Sequence, residues 1–172
     1  MGNRISADTA REILNSFFAG EWVCTNDNLG STTILLNGEL IRLFIVGQTQ
    51  SYAIESERGH LFSPTKGYPN MLKVQPKDII FHYNNGYIRA ISIALEAAEE
   101  TFGKKDGLRI DNYFSELQFP LDVRPLRSTL AGYTPFGPTG KLPQRGYIHP
   151  LHAYAARRML MEIKKLGCKP RV

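Results

Sequence analysis

The run Ile79-Ile-Phe-His-Tyr83, the triplet Asn84-Asn-Gly86 and the run Tyr87-Ile-Arg-Ala-Ile-Ser-Ile93 leave this stretch of chain few options. Two segments rich in β-branched and aromatic residues flank a Gly-containing turn, the sequence signature of a β-hairpin. A second such signal, Asn37-Gly38, lies in the Val/Thr/Ile/Leu-rich stretch from Glu21 to Val46, which also holds Asn-Asp-Asn at 26–28. Two or three antiparallel strands are expected there. Gly59 to Ser63 reads as a short strand, followed by a loop through Pro64, Gly67 and Pro69. Leu108 to Phe119 reads as another strand, ended by Pro120.

Helices are expected at both ends. Thr9-Ala-Arg-Glu12 fits a capping box, and Ile13, Leu14, Phe17 and Phe18 recur at one-turn spacing until Gly20. From about His152 to Leu166 an Ala/Leu/Met/Arg-rich stretch makes a closing helix, with Gly167 as its stop. Ala94 to Phe102 fits a helical turn or a strand entering an acidic loop at 103–107. No βαβ alternation, repeat or linker interrupts this order. The expected fold is therefore α+β, residues 1–172 forming one domain in which a twisted antiparallel or mixed sheet curls into a barrel flanked by terminal helices. Residues 1–43 would be an N-terminal helix and hairpin packed on it.

With 172 residues, 42% of them apolar, the chain can bury a core of one domain. No apolar run approaches the ~20 residues of a membrane-spanning helix, so no membrane partner is expected. Cys24 and Cys168 are far apart and form no CxxC pattern, which argues against a disulfide framework or zinc site and for a reducing, cytoplasmic compartment. Charge is uneven: residues 1–121 carry 11 Lys/Arg against 14 Asp/Glu, and residues 122–172 carry 10 against 2. A last third of +8 favours a polyanionic partner such as nucleic acid. A solvated basic helix would give the same count.

No nucleophile elbow, HExxH, P-loop or dinucleotide fingerprint is present. The four histidines, His60, His82, His149 and His152, offer no ligand set, and His149 and His152 flank Pro150 as a helix entry. Asp78 fits a turn before a strand. No catalytic residue, metal or cofactor is expected. What remains is a surface of aromatics, amides and cations. Enzymes and readers that inspect a single base take it out of the stack into a pocket with aromatic walls. Gln48, Phe62, Ser63, Tyr68, Asn70 and Tyr83 are the candidates for such a pocket. Lys66, Arg124, Arg127, Lys141 and Arg145 lie in Gly/Pro-rich loops and are the candidates for phosphate contacts. Residues 124–147, with four prolines and four glycines, form a loop long enough to be functional.

Val46-Gly-Gln-Thr-Gln-Ser-Tyr52, Glu55, Gly59-His-Leu-Phe-Ser-Pro64, Tyr68-Pro-Asn-Met-Leu72, Val74, Pro76 to Tyr83 and Gly86-Tyr-Ile-Arg-Ala-Ile91 resemble, in this order, an EVE domain. That family belongs to the PUA-like superfamily with the YTH and ASCH domains. The later Tyr113-Phe-Ser-Glu-Leu117 and Gly146-Tyr-Ile148 extend the likeness, so it runs from about residue 44 to residue 152. It is nearest to the modules at the front of modification-dependent restriction endonucleases, where an HNH nuclease domain follows. The resemblance implies a PUA-like barrel that flips a 5-methyl- or 5-hydroxymethylcytosine, or a methyladenine, out of double-stranded DNA. It also implies that any nuclease activity, and any homodimer, belongs to a missing or fused nuclease domain. Phe62 stands where such modules often carry tryptophan. An RNA-binding reader of the same superfamily is the alternative, since stacking and a basic rim also suit single-stranded RNA.

Overall fold

A computed structural model of the chain describes residues 4–25, 31–48, 51–63, 69–100, 107–143 and 146–167. The turn expected at 26–28 and the acidic loop at 103–106 fall outside these residues. The first helix, α1 (Ala7–Phe18), starts three residues before the expected box, because Ser6 rather than Thr9 is the cap. The Ser6 hydroxyl accepts from the Thr9 N–H at 3.1 Å. Both hairpins form as expected. β2 (Thr33–Leu36) turns at Asn37 (φ 51°) and Gly38 (φ 78°) into β3 (Glu39–Gly47), after a short β1 (Trp22–Cys24). β5 (Ile79–Asn84) turns at Asn85 (φ 49°) and Gly86 (φ 89°) into β6 (Tyr87–Ala94). Positive φ at both central residues is what a tight, strand-twist-matched turn demands, and Asn and Gly tolerate it best.

Three elements correct the sequence reading. Tyr52–Arg58, to which no element was assigned, is the short helix α2, ended by Gly59 in the left-handed region at φ 72°. It forms part of a crossover, so β3 and β5 pair in parallel, from Leu43 opposite Ile79 to Gly47 opposite Tyr83. Third, Pro120 does not end its strand. β8 runs Leu108–Asp122, and its register against β6 slips between Ile88 and Ala90, which face Leu121 and Glu116. Pro120 sits in that bulge, where no ladder N–H is required.

Nine strands are present among the described residues, where about six were expected; the extra ones are short. β4 (His60–Ser63) pairs with Leu108–Asp111 of β8 and β7 (Glu99–Glu100) with its Leu108 and Arg109, while β9 (Ile148–Pro150) pairs with Phe44–Val46 of β3. The order is β1-β2-β3-β5-β6-β8-β4, with β7 on β8 and β9 on β3. Long β3 and β8 thus exchange partners midway, which bends the sheet. Its pairing path ends at β1 and β4, so among the described residues hydrogen bonding does not close it into a barrel. The loop after β8 carries a 3-10 turn (Arg124–Leu126) and the one-turn helix α3 (Arg127–Leu130), and α4 (Ala153–Gly167) closes the fold.

The sheet is buried on both faces, and β3 shows how. Leu43 and Ile45 join one cluster with Phe17 and Trp22 and with Met159, Leu160 and Ile163 of α4. Phe44 and Val46 point the other way, toward Leu61, Met71, Ile80 and Tyr147. A strand covered on both sides reads as a continuous apolar run, as Leu43 to Val46 does. Trp22 stacks on Phe17 at 5.2 Å, receives the Arg157 guanidinium at 3.8 Å from its ring, and donates its indole N–H to the Phe17 carbonyl. It is a core residue. No helix among the described residues is long and apolar enough to cross a membrane.

Candidate functional site

Parallel neighbours β3 and β5 end side by side at Gly47 and Tyr83, and the ends of parallel strands are where open sheets tend to leave room for ligands. Side chains alternate across a strand, so the two faces of this end are built differently.

On the face shared with α1 and α4, a cleft of about 350 Å³ opens. Gly47 and Tyr83 form its floor, Phe136 and His149 stand on its walls, and Arg127 and Lys141 reach it from α3 and the loop that follows. No carboxylate is among its described lining residues, and neither cation makes an ion pair among the described residues. Gly140 holds the loop down: at φ 75°, a Cβ there would lie 2.0 Å from the Arg127 carbonyl oxygen, so backbone packs directly on backbone. Gly146 plays the same part for His149, whose imidazole would lie 2.7 Å from an added Cβ. Burial holds the His149 pKa below the ordinary range, so at neutral pH it is an uncharged wall.

On the opposite face a chain of polar side chains is buried. The Gln48 amide donates to Glu55 Oε2 at 2.7 Å and its oxygen meets His82 Nδ1 at 2.6 Å. His82 Nε2 meets Ser92 Oγ at 2.6 Å, and Asn112 Nδ2 donates to the same hydroxyl at 3.1 Å. The Tyr147 hydroxyl donates to Glu55, and Ser51 and the Phe62 N–H lie near enough to stabilise its charge. Burial pushes the Glu55 pKa up and these four donors pull it back. Burial lowers His82 to about 3, so its ring is neutral.

With Glu55 ionised, one donor order runs through the chain and leaves the Asn112 side-chain oxygen without a partner. An acceptor-only carboxylate takes the Gln48 NH₂, which turns the Gln48 oxygen toward His82. His82 Nδ1 must then carry the proton, leaving Nε2 to accept from Ser92.

The structure therefore divides the expected pocket. Tyr83 shares the cleft with Arg127 and Lys141. Gln48 is buried in the polar chain, while Phe62 and Ser63 lie on β4 opposite Arg109 and Leu108. Asn70 donates its side chain to the Ile148 carbonyl at 3.0 Å. None of these four lines the cleft. Arg124 lies apart from it, its guanidinium on Asp122 at 2.8 Å and over the Tyr87 ring at 5.3 Å. Tyr68, Lys66 and Arg145 fall outside the described residues.

Glu55 and Tyr147 entered the sequence reading only through the resemblance, with no role assigned, and Phe136 not at all, because nothing local marks a buried carboxylate or a cleft wall. His82, one of the four histidines that offered no ligand set, is fully buried. Asp78 accepts from the Gln75 and Arg42 N–H groups, as a turn carboxylate does. Among the described residues no group of three or more His, Cys, Asp or Glu side chains is placed to hold a metal ion.

Similarity to known proteins lies in the fold. No family model matches the chain, and no curated protein matches it. A hypothetical protein from Leishmania major superposes with a TM-score of 0.57 at 11% identity, over 74% of this chain and 97% of that one. A Pseudomonas putida protein gives 0.53 at 13%, over 70% and 99%. Rpa0253 from Rhodopseudomonas palustris gives 0.51 at 14%, over 72% and 93%.

Proposed function

We propose that this chain is an EVE-type reader of a modified base in double-stranded DNA, its bent sheet corresponding to the PUA-like barrel. The observation that carries this reading is the cleft at the ends of β3 and β5, which joins an aromatic floor at Tyr83 to two cations, with no carboxylate in its described lining. A flipped nucleotide presents a π-face and phosphates on either side of it; Tyr83 suits the base, and Arg127 and Lys141 suit the backbone. Its role would be specificity, as in a modification-dependent restriction endonuclease, with cleavage supplied by an HNH-type domain.

The test is a panel of otherwise identical duplexes, each carrying one 5-methylcytosine, 5-hydroxymethylcytosine or N6-methyladenine, with unmodified duplex and single-stranded RNA alongside. One modified duplex should bind more tightly than the unmodified one. In a folded Tyr83→Ala variant that preference should fall by about ten- to hundredfold, the worth of one base–aromatic stack, while salt-dependent general binding persists. Equal binding to every duplex, tighter binding to RNA, or metal-dependent cleavage by this chain would sink the proposal.

A further inference from the structure

The buried polar chain is an unusual expense. Glu55, Gln48, His82, Ser92, Asn112 and Tyr147 are each at most 9% exposed, and an apolar interior would serve the core more cheaply. Its position against the cleft explains what it does. Gln48 is the residue after Gly47 and His82 the residue before Tyr83, so the links of the chain alternate with the residues of the cleft floor.

The Gln48 backbone ties the two strands together. Its N–H donates to the Tyr83 carbonyl at 2.8 Å, and its carbonyl accepts from the Asn84 side chain at 2.6 Å. The Gln48 side chain fixes that backbone, gripped at one end by Glu55 and at the other by His82. Only Glu55 gives the grip a direction. The remaining members of the chain between Gln48 and Asn112 each both donate and accept, or can turn over, whereas an ionised carboxylate only accepts.

We propose that Glu55 is a positioning residue for the cleft: through Gln48, its carboxylate holds the ends of β3 and β5, and with them Tyr83, in the arrangement that receives the ligand. The cleft's being a nucleobase site rests on the function proposed above; the geometry of the grip does not. Tyr147 is drawn into the same device, since its hydroxyl ends on Glu55.

Glu55→Met keeps the side-chain length and removes the acceptor, and Glu55→Gln keeps one acceptor oxygen. Three measurements are made on wild type and both variants. These are hydrogen exchange at the Gln48 amide, imidazole nitrogen NMR shifts of His82, and affinity for a duplex carrying one 5-hydroxymethylcytosine. Wild type should show His82 protonated on Nδ1 and a protected Gln48 amide. Glu55→Met should lose that protection, mix the two His82 tautomers and bind about tenfold more weakly, the worth of one hydrogen bond to a charged group. Glu55→Gln should fall between them. A folded Glu55→Met protein with wild-type exchange, tautomer and affinity overturns the proposal. If that variant does not fold, wild-type exchange together with wild-type affinity in Glu55→Gln overturns it. A wild-type His82 protonated on Nε2 overturns it whatever the variants do. Should wild type prefer no modified duplex, the function proposed above fails, while exchange and tautomer still decide the role of Glu55.

Discussion

The two faces at the ends of β3 and β5 share the same strands and obey opposite rules. Behind the sheet, hydrogen bonds satisfy a carboxylate, an imidazole and a glutamine away from water, where losing one partner strands the next. In front of it, exposed Lys141 and half-buried Arg127 line a cleft with no carboxylate in its described lining, Asp122 lying close enough to feel the Arg127 charge. Solvated cations cost little to maintain and are free to meet an anion. The comparison teaches that precision and availability are built separately here: the rear face fixes geometry and the front face offers charge.

The most severe way to test the rear face is acid. His82 is lowered from 6.5 to about 3, so protonation favours the unfolded chain. Its stabilising contribution is complete above about pH 6.5 and is lost as the pH falls toward 3, about 3–5 kcal/mol in all. Urea melts of wild type and His82→Gln at stepped pH isolate this share. Wild type should be the more stable at pH 7 and the gap should close as the pH falls; a constant gap would mean that the imidazole is not buried neutral.

Gly140→Ala asks whether the front face is equally fixed. The added methyl would meet the Arg127 carbonyl at 2.0 Å from a left-handed backbone, so the loop must lift, at a cost of about 2–3 kcal/mol. Thermal melts measure this. Unchanged stability would show that the cleft wall is loose, and the contrast between the faces would then be sharper than drawn here.

The smallest effect separates cations within the front region. Arg127→Ala should lower the slope of log affinity against log salt by about 0.9, the release of one phosphate contact. Arg124→Ala should lower it less, because Asp122 and Tyr87 already occupy that guanidinium. Equal slopes for the two variants would remove the distinction between free and engaged cations.

Several features were legible in the sequence for local reasons. Asn-Gly turns fix hairpins because their φ values suit few other residues, and Asn37-Gly38 and Asn85-Gly86 behaved so. Apolar residues at one-turn spacing marked α1, and the Ala/Leu-rich tail marked α4. Tyr83, Arg127 and Lys141 were found as residue types suited to a polyanion with a base to stack. The cap at Ser6 and the helix at Tyr52–Arg58 were misread or missed although their signals are local, whereas the bulge around Pro120 was settled by the register against β6.

By itself the sequence determined the strand pairs that are close in the chain, the terminal helices, and the basic balance of the last third. Only the tertiary structure decided that β3 and β5 run parallel, that Gln48 faces away from the cleft while Gly47 and Tyr83 face into it, and that Arg124 is ion-paired with Asp122 while Arg127 lines the cleft. The physical reason is reach. A turn or a helix is stabilised by groups a few residues apart, whereas Tyr147 meets Glu55 across 92 positions and His82 meets Gln48 across 34. Such contacts have no period and no motif; packing on both faces of a bent sheet brings them together.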